Sequence, residues 1–361
     1  MKNNITNLEI KNFKSIKDLH LGCKRINIFI GEPNVGKSNI LEALSLFITP
    51  YCPQNSIVLK DYIRFEKLSN LFYDQDRKNS ITVKTNIGFV NIRFHLDQSN
   101  IYEMMIGNDE SYFDNIKNIS KGNFHTSKQY FDNQVRISDS STINKPFFNE
   151  IREDVPFTSG MLTYDTPIKR YIFKPLSIHN NHLSLFLSPP YGENLYTILE
   201  SNPGLYDTAN NFFTKYGLDL LIDTETNKLD VQKRVGNRVY KIPYSLVADT
   251  LQRIIFHLAA IETNNDSVLL FEEPESHSYP PYISDLADKI IEKKDNQFFI
   301  ATHSPYLLTP FIEQCSLDEV AIFVCTYKNY ETKAKVLTKE EIENIMETGI
   351  DLFYNIDAFK K

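Results

Sequence analysis

The sequence lacks most of what marks secreted, membrane-spanning or metal-stapled proteins. Its four cysteines, Cys23, Cys52, Cys315 and Cys325, are scattered through 361 residues. They show no metal-ligand spacing, which argues against a zinc site or a disulfide framework and for a reduced, cytoplasmic setting. No apolar run approaches the ~20 residues that span a bilayer. The first residues, Met1 to Asn7, lack the apolar core of a signal peptide. There is no excess of positive charge either: the net charge is -7 and the pI about 5.7. DNA, if bound, would therefore be met by a local basic patch rather than a global field. No internal repeat or sustained heptad is visible, which removes solenoids and long coiled coils.

What is present is enough for a sizeable core. Hydrophobic residues make up 42% of the chain and charged residues 24%, ordinary values for a globular protein. The length suits one large domain with an insertion, or two lobes.

The most informative stretch is Arg25–Ser38. Ile26, Ile28, Phe29 and Ile30 form a short apolar run, the mark of a buried strand. Gly31-Glu32-Pro33-Asn34-Val35-Gly36-Lys37-Ser38 follows, with the spacing of a phosphate-binding loop. Ile40, Leu41, Ala43, Leu44, Phe47 and Ile48 then recur at helical spacing, and Pro50 closes the segment. Strand, loop and helix together give the context that the motif needs. The two glycines let backbone N–H groups approach phosphate oxygens, and the helix start adds its positive dipole end. Lys37 can reach the β- and γ-phosphates, and the Ser38 hydroxyl can hold Mg²⁺. Asn39 completes the set of candidate nucleotide contacts.

A second group lies far along the chain. Ser267-Val-Leu-Leu-Phe reads as a strand hidden on both faces, and it ends in Glu272-Glu273. Carboxylates at the carboxyl end of a buried strand, in a chain with a phosphate loop, belong at the metal and the attacking water. Glu272 is the candidate Mg²⁺ ligand and Glu273 the candidate base. Gln297-Phe-Phe-Ile-Ala-Thr-His-Ser is a further apolar strand that ends in His303, placed to contact a γ-phosphate.

The rest of the chain is less explicit. Residues 5–30 read as strands with Lys11, Lys14, Lys17, Lys24 and Arg25 interleaved, most simply a solvated sheet face. Ile81–Ile87 and Phe89–Leu96 alternate as an antiparallel hairpin. Residues 97–160 show weak periodicity. A strand from Ile168, helices near Leu195 and Leu205–Tyr216, and a hairpin through Leu220–Asp223 and Leu229–Val231 follow. A buried helix is expected over Ser245–Ile261, another over Tyr282–Lys293, then a final hairpin over residues 319–338 and a helix from Lys339.

In this order the pieces resemble the ABC-type ATPase heads of the RecF, SMC and OLD group, and more closely a bacterial AAA-type ATP-binding protein of the OLD-like branch. The resemblance covers residues 1–50 and 240–330. It implies an α/β P-loop NTPase head with a mixed central sheet, an antiparallel β subdomain and a helical or irregular insertion. The expected divisions are 1–96, 97–240 and 241–361. By this likeness Gly31–Ser38 is a Walker A motif, Leu269–Glu275 a Walker B motif, Glu273 the catalytic glutamate, Ser276–Pro280 the D-loop and His303 the switch histidine. Asn12-Phe13-Lys14-Ser15 looks like the group's N-terminal signature, where a basic residue, here Lys14, lies near the nucleotide base. Two departures stand out. Glu272 replaces the Walker B aspartate, and the signature motif survives only as Val247–Arg253, without its Ser and Gly.

The resemblance implies a homodimer, or a higher oligomer, that sandwiches ATP and Mg²⁺ between heads and hydrolyses slowly. Fewer than about sixty residues follow His303, short for a Toprim nuclease domain, so a separate nuclease or toxin effector is expected and no intrinsic nuclease. Anti-phage defence or DNA maintenance is the implied setting, away from the membrane. Two other readings stay open: a non-hydrolysing ATP-bound scaffold, and a transporter's nucleotide-binding subunit.

Overall fold

The computed structural model describes residues 3–51, 59–95, 101–107, 147–151, 167–175 and 184–360. The poorly periodic stretch 97–160 therefore lies largely outside the described residues.

The chain begins with β1 (Asn7–Phe13), β2 (Ile16–Gly22) and β3 (Ile26–Ile30), then α1 (Lys37–Ser45) and a short α2 (Leu59–Tyr62). Strands β4 (Ile81–Thr85), β5 (Gly88–His95), β6 (Ile101–Gly107), β7 (Phe147–Ile151) and β8 (Ile168–Tyr171) follow. Next come α3 (Leu195–Ser201), α4 (Pro203–Thr214), β9 (Leu218–Asp223), β10 (Lys228–Val235) and β11 (Arg238–Pro243). The last part holds α5 (Asp249–Thr263), β12 (Val268–Glu272), α6 (Pro280–Glu292), β13 (Gln297–Ala301), α7 (Pro305–Gln314), β14 (Val320–Lys328), β15 (Glu331–Val336) and α8 (Lys339–Thr348).

Three sheets result. An antiparallel sheet has the order β2-β1-β4-β5-β6-β7. The central sheet runs β15-β14-β3-β13-β12-β8, with parallel pairing from β14 to β8 and β15 antiparallel at one edge. A small sheet has the order β11-β10-β9. This is the expected α/β P-loop NTPase head, with a mixed central sheet and an antiparallel subdomain. β8, from within residues 97–240, is an edge strand of the central sheet.

The apolar runs explain the layering. β3 and β13 are buried along their whole length, because both faces of the central sheet are covered. Alternation sends Ile26, Ile28 and Ile30 into one core with α5, α6 and α7. It sends Phe29, Phe299 and Phe323 into a second core with α1 and the antiparallel sheet. Phe29 stacks on Phe323 at 5.0 Å and on Phe299 at 6.3 Å.

The interleaved basic residues of the first strands are not all a solvated face. Arg25 is buried, donates to the Ile290 carbonyl and pairs with Glu319 at 3.2 Å. Lys24 reaches the Leu317 carbonyl. These cations fasten the start of β3 to the last turn of α6 and the loop beyond α7.

Replacing Phe29 by Ala leaves a cavity between three strands, and we expect a loss of about 3–5 kcal/mol. Urea unfolding with an unchanged m-value would show it; a loss below about 1 kcal/mol would mean that this layer collapses around the gap.

Candidate active site

The loop after β3 is shaped by its neighbours. Gly36 caps α1 with φ 93°, and a Cβ there would run into Thr332 Oγ1 and Ser15 Oγ. Thr332 is buried. Its hydroxyl donates to the Val35 carbonyl at 2.9 Å and lies 2.6 Å from Ser15 Oγ. Asn39 Nδ2 donates to the same Ser15 oxygen at 2.6 Å. The β1–β2 turn, the start of β15 and α1 thus brace the loop from behind. Lys37 is buried, and its Nζ donates to the carbonyls of Gly31 at 3.0 Å and Glu32 at 2.9 Å. Burial lowers its pKa despite the carboxylates of Glu273 and Glu272.

The acidic side comes from β12. Glu272 pairs with Arg170 at 2.5 Å and with Arg64 at 3.1 Å. Burial pushes its carboxyl up, but Arg170, a hydrogen bond with Ser38 and Arg64 outweigh it, so the group stays ionised. Glu273 follows in the left-handed region, φ 45°, a conformation that costs of order 1 kcal/mol outside glycine. Its N–H is held by the Ala301 carbonyl at 2.8 Å.

His303 arrives from the end of β13. Its Nε2 stands 3.8 Å from Glu273 Oε1, too long for a direct hydrogen bond. Burial and the nearby Lys37 ammonium hold it below the ordinary histidine value, against the pull of Glu273. The Glu275 carboxylate accepts from the His303 N–H at 2.9 Å and from Thr302 Oγ1 at 2.6 Å. Ser276 Oγ donates to Glu273 at 3.1 Å.

These groups face one cleft of about 450 Å³. Pro33 to Asn39, Glu272, Glu273 and His303 line it, and so do Ser15, Arg64 and Tyr327. The candidate residues of the loop, the acidic pair and the histidine are therefore brought together. Gly31 and Glu32 serve Lys37 through their carbonyls.

Comparison with known proteins agrees with this geometry. Residues 1–174 match the family model described as "AAA ATPase domain". Residues 168–309 match the one described as "AAA domain, putative AbiEii toxin, Type IV TA system". An "ATP/GTP phosphatase" of Helicobacter pylori (strain ATCC 700392 / 26695) is 23% identical over 343 residues, covering 83% of this chain and 85% of that protein. Two AAA-type models thus match successive parts of residues 1–309, and the chain is similar to AAA-type ATPases over that span. Among solved structures, the Smc head bound to the C-winged helix domain of ScpA is 15% identical, with a TM-score of 0.49 over 93% of this chain and 98% of that chain. The SMC head domain from Thermotoga maritima is 14% identical, with a TM-score of 0.41 over 93% and 99%.

Lys14 stands apart from the other candidate residues. It does not line the cleft. Its ammonium sits on Glu42 and donates to the Arg64 carbonyl at 2.6 Å. The reason is Glu42, a fully buried carboxylate on α1. Such a charge needs cations around it, and it takes Lys14, Arg64 Nε at 2.8 Å and, at 4.0 Å, Arg170. Sequence reading missed Arg64, Arg170, Glu42 and Thr332, which carry no motif. In the sequence, Ser15 stands out only as part of Asn12–Ser15.

Among the described residues no group of three or more His, Cys, Asp or Glu side chains could hold a metal unaided. Mg²⁺ held by one hydroxyl, one carboxylate and a nucleotide's own oxygens needs no such group. Ser38 and Glu272 both line the cleft. Among the same residues no helix is long and apolar enough to cross a membrane.

His303 should titrate below the ordinary histidine value, and Lys37→Ala should raise its midpoint by removing the neighbouring ammonium. NMR titration of the ring protons reads both; a midpoint unmoved by Lys37→Ala would contradict the coupling.

Proposed function

We propose that this ATPase is a dimeric ATP switch of the OLD-like branch, slow in hydrolysis, that acts with a separate nuclease or toxin effector in anti-phage defence or DNA maintenance. The observation that carries the ATP chemistry is the convergence of Lys37, Ser38, Glu272, Glu273 and His303 on one cleft at the end of the central sheet. The effector and its setting rest on the family resemblance alone.

The residues divide the work as follows. The loop amides and the start of α1 receive the triphosphate. Lys37 exchanges its carbonyl partners for β- and γ-oxygens. Ser38 and Glu272 would hold Mg²⁺, which when bound neutralises charge on those oxygens. Glu273 orients water and takes its proton as the oxygen bonds to the γ-phosphorus. The bond from that phosphorus to the β-bridging oxygen breaks, leaving ADP. His303, neutral near pH 7, contacts the γ-phosphate.

Two features favour a slow rate. Glu272 is one methylene longer than aspartate and is engaged by two guanidinium groups. The remnant signature, Val247–Arg253, starts α5 and does not line its own cleft. It would meet the loop of a second head, as in sandwiched dimers. Thr250 Oγ1 donates to the His277 carbonyl at 2.6 Å, tying that face to the segment after Glu273. Any DNA would meet a local basic patch such as Arg234 and Arg238 on the β10–β11 hairpin. The engagement of Glu272 by Arg64 and Arg170 also favours a second reading, in which ATP is bound as a structural ligand and not cleaved.

Phosphate release separates the two. We expect slow release by the wild type, a drop of about 100-fold or more in Glu273→Gln with ATP binding kept, and loss of ATP binding in Lys37→Ala. Wild-type protein that binds ATP without releasing phosphate would establish the scaffold reading; ATP affinity unchanged in Lys37→Ala would end both.

A further inference from the structure

We infer that Tyr327 is the platform on which the nucleotide base stacks, so that the β14–β15 hairpin forms the base subsite of the cleft. The inference rests on the nucleotide reading of the site and adds to it a residue from a part of the chain that no motif marks.

Strand order fixes the two ends of the cleft. The phosphate loop leaves β3 in the middle of the sheet. On one side lie β13 and β12, which deliver His303, Glu272 and Glu273. These belong at the γ-phosphate, so the base must lie toward the other side. There β14 runs parallel to β3, and their pairing ends at Val324 opposite Ile30. Tyr327 is three residues further along the same strand, past the point where β3 turns into the loop.

Its side chain faces the loop. Tyr327 is paired directly with Thr332 across the hairpin, and opposed residues of an antiparallel pair emerge on one face. The Thr332 hydroxyl contacts Ser15 and the Val35 carbonyl. Tyr327 therefore rises beside the Ser15–Asn39 corner, where α1 has already begun and a triphosphate gives way to its nucleoside. It lines the cleft with 48% of its surface exposed, which leaves a ring face free. Among the described residues that line the cleft, no other phenyl or phenol ring is present. The alternative base contact, Lys14, is committed to Glu42.

A ring of this kind reads the π-face of a base and not its edge. It therefore strengthens ATP and GTP alike and adds nothing to a bare triphosphate. Calorimetric titration of the full chain with Mg²⁺ and ATP, GTP or inorganic tripolyphosphate tests this. In Tyr327→Ala we expect ATP and GTP to weaken about tenfold and tripolyphosphate to be unchanged, with Tyr327→Phe near wild type. ATP affinity unchanged in Tyr327→Ala overturns the inference. So does an equal loss for ATP and tripolyphosphate, which would make Tyr327 a support of the loop. Wild-type protein that binds neither compound overturns the nucleotide reading itself, whereas wild type that binds both equally overturns the platform alone.

Discussion

Parallel pairing in the central sheet is the constraint on which the rest depends. β14, β3, β13 and β12 all run the same way, so their carboxyl ends emerge at one edge. A phosphate loop, two carboxylates, an imidazole and a tyrosine reach the same cleft because their strands must end there. The apolar residues of β3 and β13 pack into a core on each side, which leaves those strands little freedom to slide. A register slip of one residue would turn Phe29 and Phe299 toward the wrong layer.

Behind the cleft, charge does the positioning. Glu42 and Glu272 share Arg64 and Arg170, and Lys14 completes the set around Glu42. Such a network depends on all of its members, because a buried carboxylate stripped of its cation is costly. It ties α1, the end of α2 and β8 to β12. On the proposed function, Mg²⁺ would have to compete with Arg64 and Arg170 for Glu272. The left-handed backbone of Glu273 and the grip of Glu275 on Thr302 and His303 hold the acid and the imidazole nearly in contact.

Much of this was legible in the sequence, and for identifiable reasons. Asn27 apart, Ile26–Ile30, Val268–Phe271 and Phe298–Ala301 are apolar on both faces, so they announce a buried parallel sheet. The loop motif is informative because a strand precedes it and a helix follows. Glu272, Glu273 and His303 could be placed because each ends such a strand. Arg64 and Arg170 were not legible, since ion pairing leaves no periodic trace. Lys24 and Arg25 looked like surface charges because amphipathic side chains at strand ends read the same whether they meet water or a carbonyl. The third strand of the small sheet, Arg238–Pro243, is exposed along most of its length and gives almost no apolar pattern to read. Tyr327 sits in a hairpin that was foreseen, but nothing local says that the hairpin overhangs the loop.

The central claim is that one triphosphate is held between the loop after Ile30 and the strand ends carrying Glu272, Glu273 and His303. A crystal structure of the Glu273→Gln protein soaked with Mg²⁺ and ATP tests it most directly. The account predicts the γ-phosphate within hydrogen-bond reach of both Lys37 and His303, with the metal on Ser38 and Glu272 freed from at least one arginine. Density for the triphosphate elsewhere, or a loop filled while His303 and residue 273 face away from it, would contradict the account.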